Sequence, residues 1–405
     1  MPVSWSGPAR QRDGVRLRAE PYGAVAYVSE IDRFVALDHQ AVAVLSRLGT
    51  RRTRVDDAPM VERLAAAGLV EPTAYRPLPG RSLIGDFAGV PDVAAPLVVN
   101  VFATAWCPLR CRYCHADDLM QPFRAGEEDD DVDRVAATAA AVPAMVAVVT
   151  GGDPILDPER TARLISRLAA EKAIVVDTSG AGNITPLIPL LKQVQGHLRV
   201  SLDSADPDRH DRLRPINPRL LPRGTSSHAR AWATIEHALA ADIGTTVQTV
   251  VSRANQQESE LIALARQLVR AGVRNWVLHL AVAAGKAAER RGRELLPTAD
   301  ARAVLDRVAF RLETEDEFRS LRMRMTATQA TPNAVLLVGS RGELYVETGL
   351  TGKVRIASQA RDPREMVRLF RANVDRRAHA DRYLGGTAPL SSADQPAGIG
   401  RAAEA

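Results

Sequence analysis

Six short apolar runs recur in order between residues 96 and about 290, at 96–102, 146–149, 173–176, 198–202, 245–251 and 275–280. Each is about the length of a strand and rich in valine, isoleucine, leucine or threonine. Such runs read as strands of a largely buried sheet. Between the last two, residues 261, 262, 264, 265, 268 and 269 form an apolar helical stripe, and Gly272 ends it. Six strand-plus-helix units in sequence order predict an α/β fold with a parallel sheet, a partial (β/α)6 TIM barrel over residues 96–325. The chemistry of such a fold sits at the C-terminal ends of its strands.

The loop after the first run carries Cys107, Cys111 and Cys114, the whole thiol complement of the 405-residue chain. Three thiols cannot pair off as disulfides without leaving one over. Gaps of three and two residues allow all three sulfurs to face one inorganic centre, and three ligands leave a coordination position open. A zinc knuckle completed by His115 or a distant residue is the other reading. His115 adjoins Cys114, which makes joint coordination of one ion awkward.

The C-x3-C-x2-C spacing after a first strand, with Tyr113 before the last cysteine, resembles the radical S-adenosylmethionine (SAM) enzymes. The resemblance implies that Cys107, Cys111 and Cys114 hold one [4Fe–4S] cluster and that SAM occupies its open iron. Thr150-Gly151-Gly152-Asp153-Pro154, after the second run, is similar to the family's Gly-Gly-Glu-Pro segment, with Asp153 in place of the usual Glu. Glycines there allow close backbone approach to the cofactor. Asp177-Thr178-Ser179-Gly180 is similar to the family's Thr-Asn-Gly turn, and Ser201-Leu202-Asp203 to its Ser-Leu-Asp segment. Arg214 ends a His-Asp-x-x-Arg-like stretch. The implied SAM contacts are therefore Tyr113, Thr150, Gly151, Gly152, Asp153, Ser179, Ser201, Asp203 and Arg214. Gly285-Lys286-Ala287 is similar to a turn of the peptide-modifying members.

Before the barrel, residues 1–75 read as two antiparallel strands (24–28 and 33–37), a helix capped by Asp38 and closed by Gly49, and a second helix capped by Asp57 and closed by Gly68. This pattern resembles the winged-helix-like recognition element of ribosomal peptide maturation. The resemblance implies that a leader peptide adds as a strand. The matching positions are Phe34, Val35 and Leu37 on the strand and Met60 and Leu64 on the helix. A DNA-binding or purely packing domain is the other reading. Residues 76–95 are expected to be a flexible proline- and glycine-rich linker.

Residues 326–384 read as hairpins, with turns at 340–342 and 351–352, and one helix from Asp362 to about Val374, after which order is expected to fade. They resemble the SPASM extension of peptide-modifying radical SAM enzymes, here without cysteines, and are expected to form a β-rich cap on the barrel. Residues 385–405 have a disordered composition. The net charge of +5 comes mostly from dispersed arginines, with Arg51, Arg52 and Arg54 as a small cluster, and aromatic residues are only 4% of the chain. No nucleic-acid partner is expected. Without a long apolar segment or signal peptide, no membrane partner is expected either, and a cytoplasmic location follows.

The family resemblance implies cleavage of SAM to a 5′-deoxyadenosyl radical, hydrogen abstraction from a precursor peptide and an external electron donor such as a flavodoxin or ferredoxin. With every thiol at the cluster, neither a cysteine hydrogen donor nor an auxiliary cluster is available. Crosslinking or another C–H functionalisation is therefore the preferred outcome. The alternatives are a radical SAM enzyme acting on a sugar or nucleotide and, more remotely, a zinc-bearing adaptor.

Overall fold

The computed structural model describes residues 10–48, 57–71, 83–121, 132–281, 285–289, 294–325, 334–348, 352–357 and 362–385. Gly49, the arginine cluster at 51–54 and the tail from 386 lie outside the described residues. The N-terminal unit contains β1 (Arg10–Gln11), β2 (Val15–Glu20), β3 (Gly23–Val28), β4 (Arg33–Asp38), α1 (His39–Leu48), α2 (Ala58–Ala66), β5 (Val70–Glu71) and β6 (Leu83–Ile84). Strands β2, β3 and β4 form an antiparallel sheet, and β6 adds parallel to β4 at Ala36 and Leu37. β1 pairs with β5. The Asp38 carboxylate accepts the Ala41 N–H at 2.7 Å, the expected cap of α1. Asp57 does not cap α2; Arg47 claims its carboxylate from the neighbouring helix. Gly68 closes α2 at φ +78°, a conformation that suits a residue without Cβ.

The N-terminal sheet is buried on both faces. Ala26, Val28, Val35 and Leu37 pack with Val44, Leu45, Met60 and Leu64 of the two helices. Val25, Tyr27, Phe34 and Ala36 face the other way and join the main core of the molecule.

The barrel runs β7 (Val98–Thr104), α3 (Val132–Ala141), β8 (Val146–Gly151), α4 (Pro158–Leu168), β9 (Ala173–Thr178), α5 (Ile188–Gln193), β10 (His197–Ser201), α6 (Pro207–Leu213), α7 (Ser227–Ala240), β11 (Gly244–Val251), α8 (Glu258–Ala271), β12 (Asn275–Leu280), α9 (Lys286–Glu289), α10 (Thr298–Thr314) and β13 (Arg322–Met325). Strands β7 to β13 are all parallel neighbours in chain order, so the six expected strands gain a seventh. The extra strand, Arg-Met-Arg-Met, has no continuous apolar run to announce it.

Then come β14 (Val335–Val338), β15 (Leu344–Thr348), β16 (Gly352–Ala357), α11 (Pro363–Asn373) and α12 (Arg376–Leu384). The expected hairpin forms between β14 and β15, but β14 also lies parallel to β7. The C-terminal region thus extends the barrel sheet to ten strands instead of sitting on it as a separate cap. Order does not fade after Val374. Asp375 caps α12 by accepting the Ala378 N–H at 3.0 Å. The Leu97 N–H donates to His379 Nε2 at 2.9 Å, which ties α12 to the start of β7.

The N-terminal unit covers the end of the barrel where strands begin. Arg18 donates to the carbonyls of Ala95 and Pro96, just before β7, at 3.0 and 2.7 Å. Arg16 donates to Ala169 O, before β9. Asp32 enters the barrel itself. Its carboxylate accepts from Arg199 of β10 at 2.7 and 2.8 Å, from Arg324 of β13 at 3.0 Å and from Tyr27 Oη at 2.9 Å. The described part of the expected linker is fixed in place. Ile84 and Val93 are fully buried, Phe87 meets Tyr22 at 5.6 Å, and the Asp86 N–H donates to Asp38.

Candidate active site

Alternation along the parallel strands decides which side chains see the interior. Leu198, Val200, Val247, Trp276 and Leu278 pack into the core with the helices. The alternate set turns inward and is polar. In register across β9 to β13 lie Asp177, Arg199, Thr246, Asn275 and Arg322, and one step higher Ser201, Gln248, Val277 and Arg324. The face of the sheet lined this way is largely polar, unlike the apolar face packed on the helices.

The cysteine loop covers the C-terminal mouth. Cys107, Cys111 and Cys114 follow β7, and all three are partly buried free thiols. The segment after α6 stitches the loop down: the Arg110 N–H donates to Pro215 O at 2.7 Å, Arg112 N–H to Leu213 O at 3.0 Å and Asn217 N–H to Pro108 O at 2.7 Å. Burial pushes Cys114 up to about 12, with the neighbouring Cys111 adding to it, and burial likewise raises Cys107 and Cys111. Adjacent buried thiols give up their protons when a cationic metal core offsets the charge. Among the described residues no group of three His, Cys, Asp or Glu side chains could hold a single metal ion. Three thiols on one loop supply one thiolate each to three irons of a cluster and leave the fourth iron open, so the chemistry of the donor set fits a [4Fe–4S] cluster.

Arg214, at the end of α6, is buried. It binds Asp203 through two hydrogen bonds of 2.6 and 3.3 Å, donates to Cys111 Sγ at 3.8 Å and lies 5.6 Å from the centre of the Tyr113 ring. Its charge draws Cys111 back toward the thiolate, against the effect of burial. Asp203 also accepts the Val250 N–H at 2.8 Å, which fixes the pair to β11. Among the described residues the buried Tyr113 hydroxyl has no hydrogen-bond partner.

Gly151, Gly152 and Asp153 do local work different from simple cofactor clearance. A Cβ on Gly152 would fall on the Trp106 carbonyl, so this glycine lets the cysteine loop pack onto the end of β8. Gly151 has φ +124°, with the Thr104 carbonyl where a Cβ would go. Asp153 is fully buried and accepts from Thr178 Oγ1 at 2.7 Å, from the N–H groups of Ile155 and Ser179, and from Ser179 Oγ. Its carboxylate ties the ends of β8 and β9 together. Thr150 and Ser201 are half-buried on β8 and β10.

From below, Gly285 approaches the Cys114 carbonyl so closely that a Cβ would overlap it, and the Lys286 N–H donates to the same oxygen at 3.0 Å. The hairpin reaches the loop as well: Lys353 Nζ donates to His115 O at 2.6 Å and pairs with Asp118 at 2.7 Å, and Glu347 lies 3.6 Å from His115. Sequence reasoning missed this second support and missed the inward residues Asp177, Arg199, Gln248, His279 and Arg324. The period-two pattern of each strand carried that signal.

The proposed peptide contacts lie elsewhere. Val35, Leu37 and Leu64 have no exposure, and Met60 and Phe34 are buried. Phe34 meets Tyr27 and Tyr383 at 4.9 and 5.8 Å. These five side chains close the unit's own core and its seam with the barrel, so none offers a free apolar surface. β6 also occupies the edge of β4 at Ala36 and Leu37.

Residues 101–274 match the family model of the Radical SAM superfamily, a span from β7 to just before β12. The chain is 27% identical over 129 residues to the FeMo cofactor biosynthesis protein NifB of Azotobacter vinelandii, covering 29% of this chain and 26% of that protein. It is 27% identical over 175 residues to a PqqA peptide cyclase of Methylobacterium nodulans, covering 42% and 43%. The chain therefore spans less than half the length of these curated relatives. Its fold is similar to that of Streptococcus suis SuiB, solved bound to the precursor peptide SuiA, with a TM-score of 0.54, 12% identity and coverage of 83% of this chain and 82% of that one. The cofactors that go with the radical SAM domain are a [4Fe–4S] cluster and SAM. No helix among the described residues is long and apolar enough to cross a membrane.

Proposed function

We propose, on the premise of the radical SAM domain at residues 101–274, that this chain modifies a ribosomally made precursor peptide at a C–H bond. The observation that carries the reading is a three-cysteine loop held over the C-terminal ends of parallel strands whose alternate residues are largely polar. When bound, the cluster and SAM supply a 5′-deoxyadenosyl radical that abstracts a hydrogen atom. Cys107, Cys111 and Cys114 would hold the cluster, and Arg214, oriented by Asp203, would place a positive charge beside Cys111. Tyr113, Thr150, Gly151, Gly152, Ser179 and Ser201 would form the cofactor wall, and Asp153 would keep two of its loops in register. The polar residues of that face orient the substrate carbon and keep bulk water away from it. Crosslinking or another C–H functionalisation is the outcome we favour, with an external flavodoxin- or ferredoxin-type electron donor.

We assign leader docking to the N-terminal unit. An added strand reaches β4 at Ala36 and Leu37 only if Leu83–Ile84 yields its place there. The test uses anaerobically reconstituted holoenzyme, SAM, a reductant and the peptide encoded beside the gene. A mass change in the peptide, with deuterium passing from labelled peptide to 5′-deoxyadenosine, is expected. An unmodified peptide combined with turnover of a sugar or nucleotide would overturn the reading.

A further inference from the structure

The C-terminal hairpin carries no cysteine, yet it forms one wall of the seat on which the cysteine loop rests. Strand β14 lies beside β7, the strand that leads into the loop, with Leu337 opposite Asn100. Cys114, Leu119 and Tyr345 pack against a small apolar cluster of Phe102, Ala116 and Leu337. Leu337 belongs to β14 and Tyr345 to β15, so the last cysteine touches an apolar floor that the hairpin helps to build.

Beyond that floor the segment after Cys114 is gripped from two sides. Asp117 and Asp118 begin a single 3-10 turn, Asp117–Leu119. Lys286 of α9 pairs with Asp117 at 3.1 Å, and its backbone N–H caps the Cys114 carbonyl at 3.0 Å. Lys353 of β16 pairs with Asp118 at 2.7 Å and donates to the His115 carbonyl at 2.6 Å. The two lysines differ in kind. The Lys286 side chain is 21% exposed, and its backbone does the capping. The Lys353 side chain is 1% exposed, and its ammonium makes both bonds itself. Burying an ammonium is costly unless its protons find acceptors and its charge a partner. Strand register puts it there: Lys353 stands opposite Glu347 of β15, which in turn lies 3.6 Å from His115. The hairpin thus meets the residues after the last cysteine through one buried cation.

We propose that Lys353 is a positioning residue of the cluster site. Through the His115 carbonyl and Asp118 it fixes the backbone that follows Cys114, and with it the direction in which that cysteine reaches its iron. Its charge also favours addition of an electron to the cluster, since a nearby cation stabilises the reduced, more negative form. This role rests on the cluster reading and not on the identity of the substrate. It makes the cysteine-free hairpin part of the metal centre, acting through the loop without supplying a ligand.

The test needs neither SAM nor the natural peptide. Anaerobically reconstituted wild type, Lys353→Met, Lys353→Arg and Asp118→Asn are compared by the rate at which iron passes to a chelator and by the midpoint potential of the cluster. Iron release should quicken roughly tenfold in Lys353→Met, the lower end for losing hydrogen bonds to a charged group, because Asp118 is 35% exposed and recovers water. Asp118→Asn should quicken it less, because the His115 carbonyl keeps its donor. The potentials separate a charge beside the cluster from a merely loosened loop. Lys353→Met should lower the midpoint, Lys353→Arg should keep it near the wild-type value, and Asp118→Asn should raise it. Loosening alone would move the Met and Asn variants in the same direction. The unfolding midpoint and hydrogen exchange at β8 and β9 report whether each variant is folded. If Lys353→Met is not, the potential of Asp118→Asn decides. Unchanged iron release in Lys353→Met, an unchanged potential in both charge-removing variants, or shifts of the same sign in the two would overturn the proposal. Failure of the cluster reading would register separately, as wild-type protein that takes up no iron.

Discussion

Replacing Asp32 with asparagine tests how the N-terminal unit is fastened to the barrel. Asparagine keeps the shape and tolerates the left-handed conformation at φ +49°, so the change isolates the charge. The carboxylate is 3% exposed and holds two arginines of the barrel wall. Burial raises its pKa, but Arg199 and Arg324 outweigh that and leave it well below the ordinary carboxylate range. Removing one partner of a buried ion pair costs about 3–5 kcal/mol. Arg324 is 39% exposed and can recover solvent, so the lower end, about 3 kcal/mol, applies. At about 1.4 kcal/mol per tenfold, the undocked population should rise roughly a hundredfold. Hydrogen exchange at β4 and α12 should speed up accordingly, while β8 and β9 remain protected. The wild-type contact should itself weaken in acid. A depressed folded-state pKa contributes stability above the unfolded value of about 3.9, and that stability is lost as pH falls below it. Unchanged exchange in Asp32→Asn at neutral pH would refute the reasoning.

Three further outcomes follow from the site. Gly152→Ala should lower iron uptake on reconstitution as well as SAM cleavage, because the new methyl displaces the Trp106 carbonyl and with it the cysteine loop; full iron content with loss of SAM binding alone would show that the glycine clears space for the cofactor instead. Burial, opposed by Arg199 and reinforced by Asp32, pushes Asp177 up to about 6. Its contribution is therefore favourable below the unfolded value of about 4 and is lost as pH rises through about 6. Asp177→Asn should flatten that decline in the unfolding midpoint, and a parallel pH profile would count against it. Ile84→Asp should release β6, speed hydrogen exchange at Ala36 and Leu37, and tighten binding of a leader peptide if the β4 edge is its dock; weaker or unchanged binding would place the dock elsewhere.

The expected strands and the ordered loops after them were legible because each element announces itself locally. Buried parallel strands are short apolar runs, and the cysteine, glycine and serine segments fall at their ends. Even the end of α8 falls where expected, at Gly272, since an apolar stripe and a terminal glycine define it together. What was illegible depends on contacts distant in sequence. Arg322–Met325 is a strand because β12 offers it an edge, and Val335–Val338 joins the barrel because β7 has one free. The five apolar residues of the N-terminal unit look like a binding face in sequence, because a recognition surface and a domain core use the same side chains. Only burial distinguishes them. The close approach of Gly152 to the Trp106 carbonyl is likewise a contact that no local pattern announces.

Placing the N-terminal unit under the strand beginnings, with the cysteines over the strand ends, fixes a length scale for any substrate held at both. Strand β7 has seven residues, which at about 3.3 Å each separates the two by roughly 23 Å. A peptide docked on the lower unit needs at least about seven extended residues to bring a side chain to the upper mouth, more if it runs around the outside of the sheet. Because Asp32, Arg16 and Arg18 fasten the unit to the barrel, this distance does not adjust to the peptide. The spacer between docking segment and reacting residue then acts as a gauge: shortening it below that span should uncouple binding from modification, whatever its sequence.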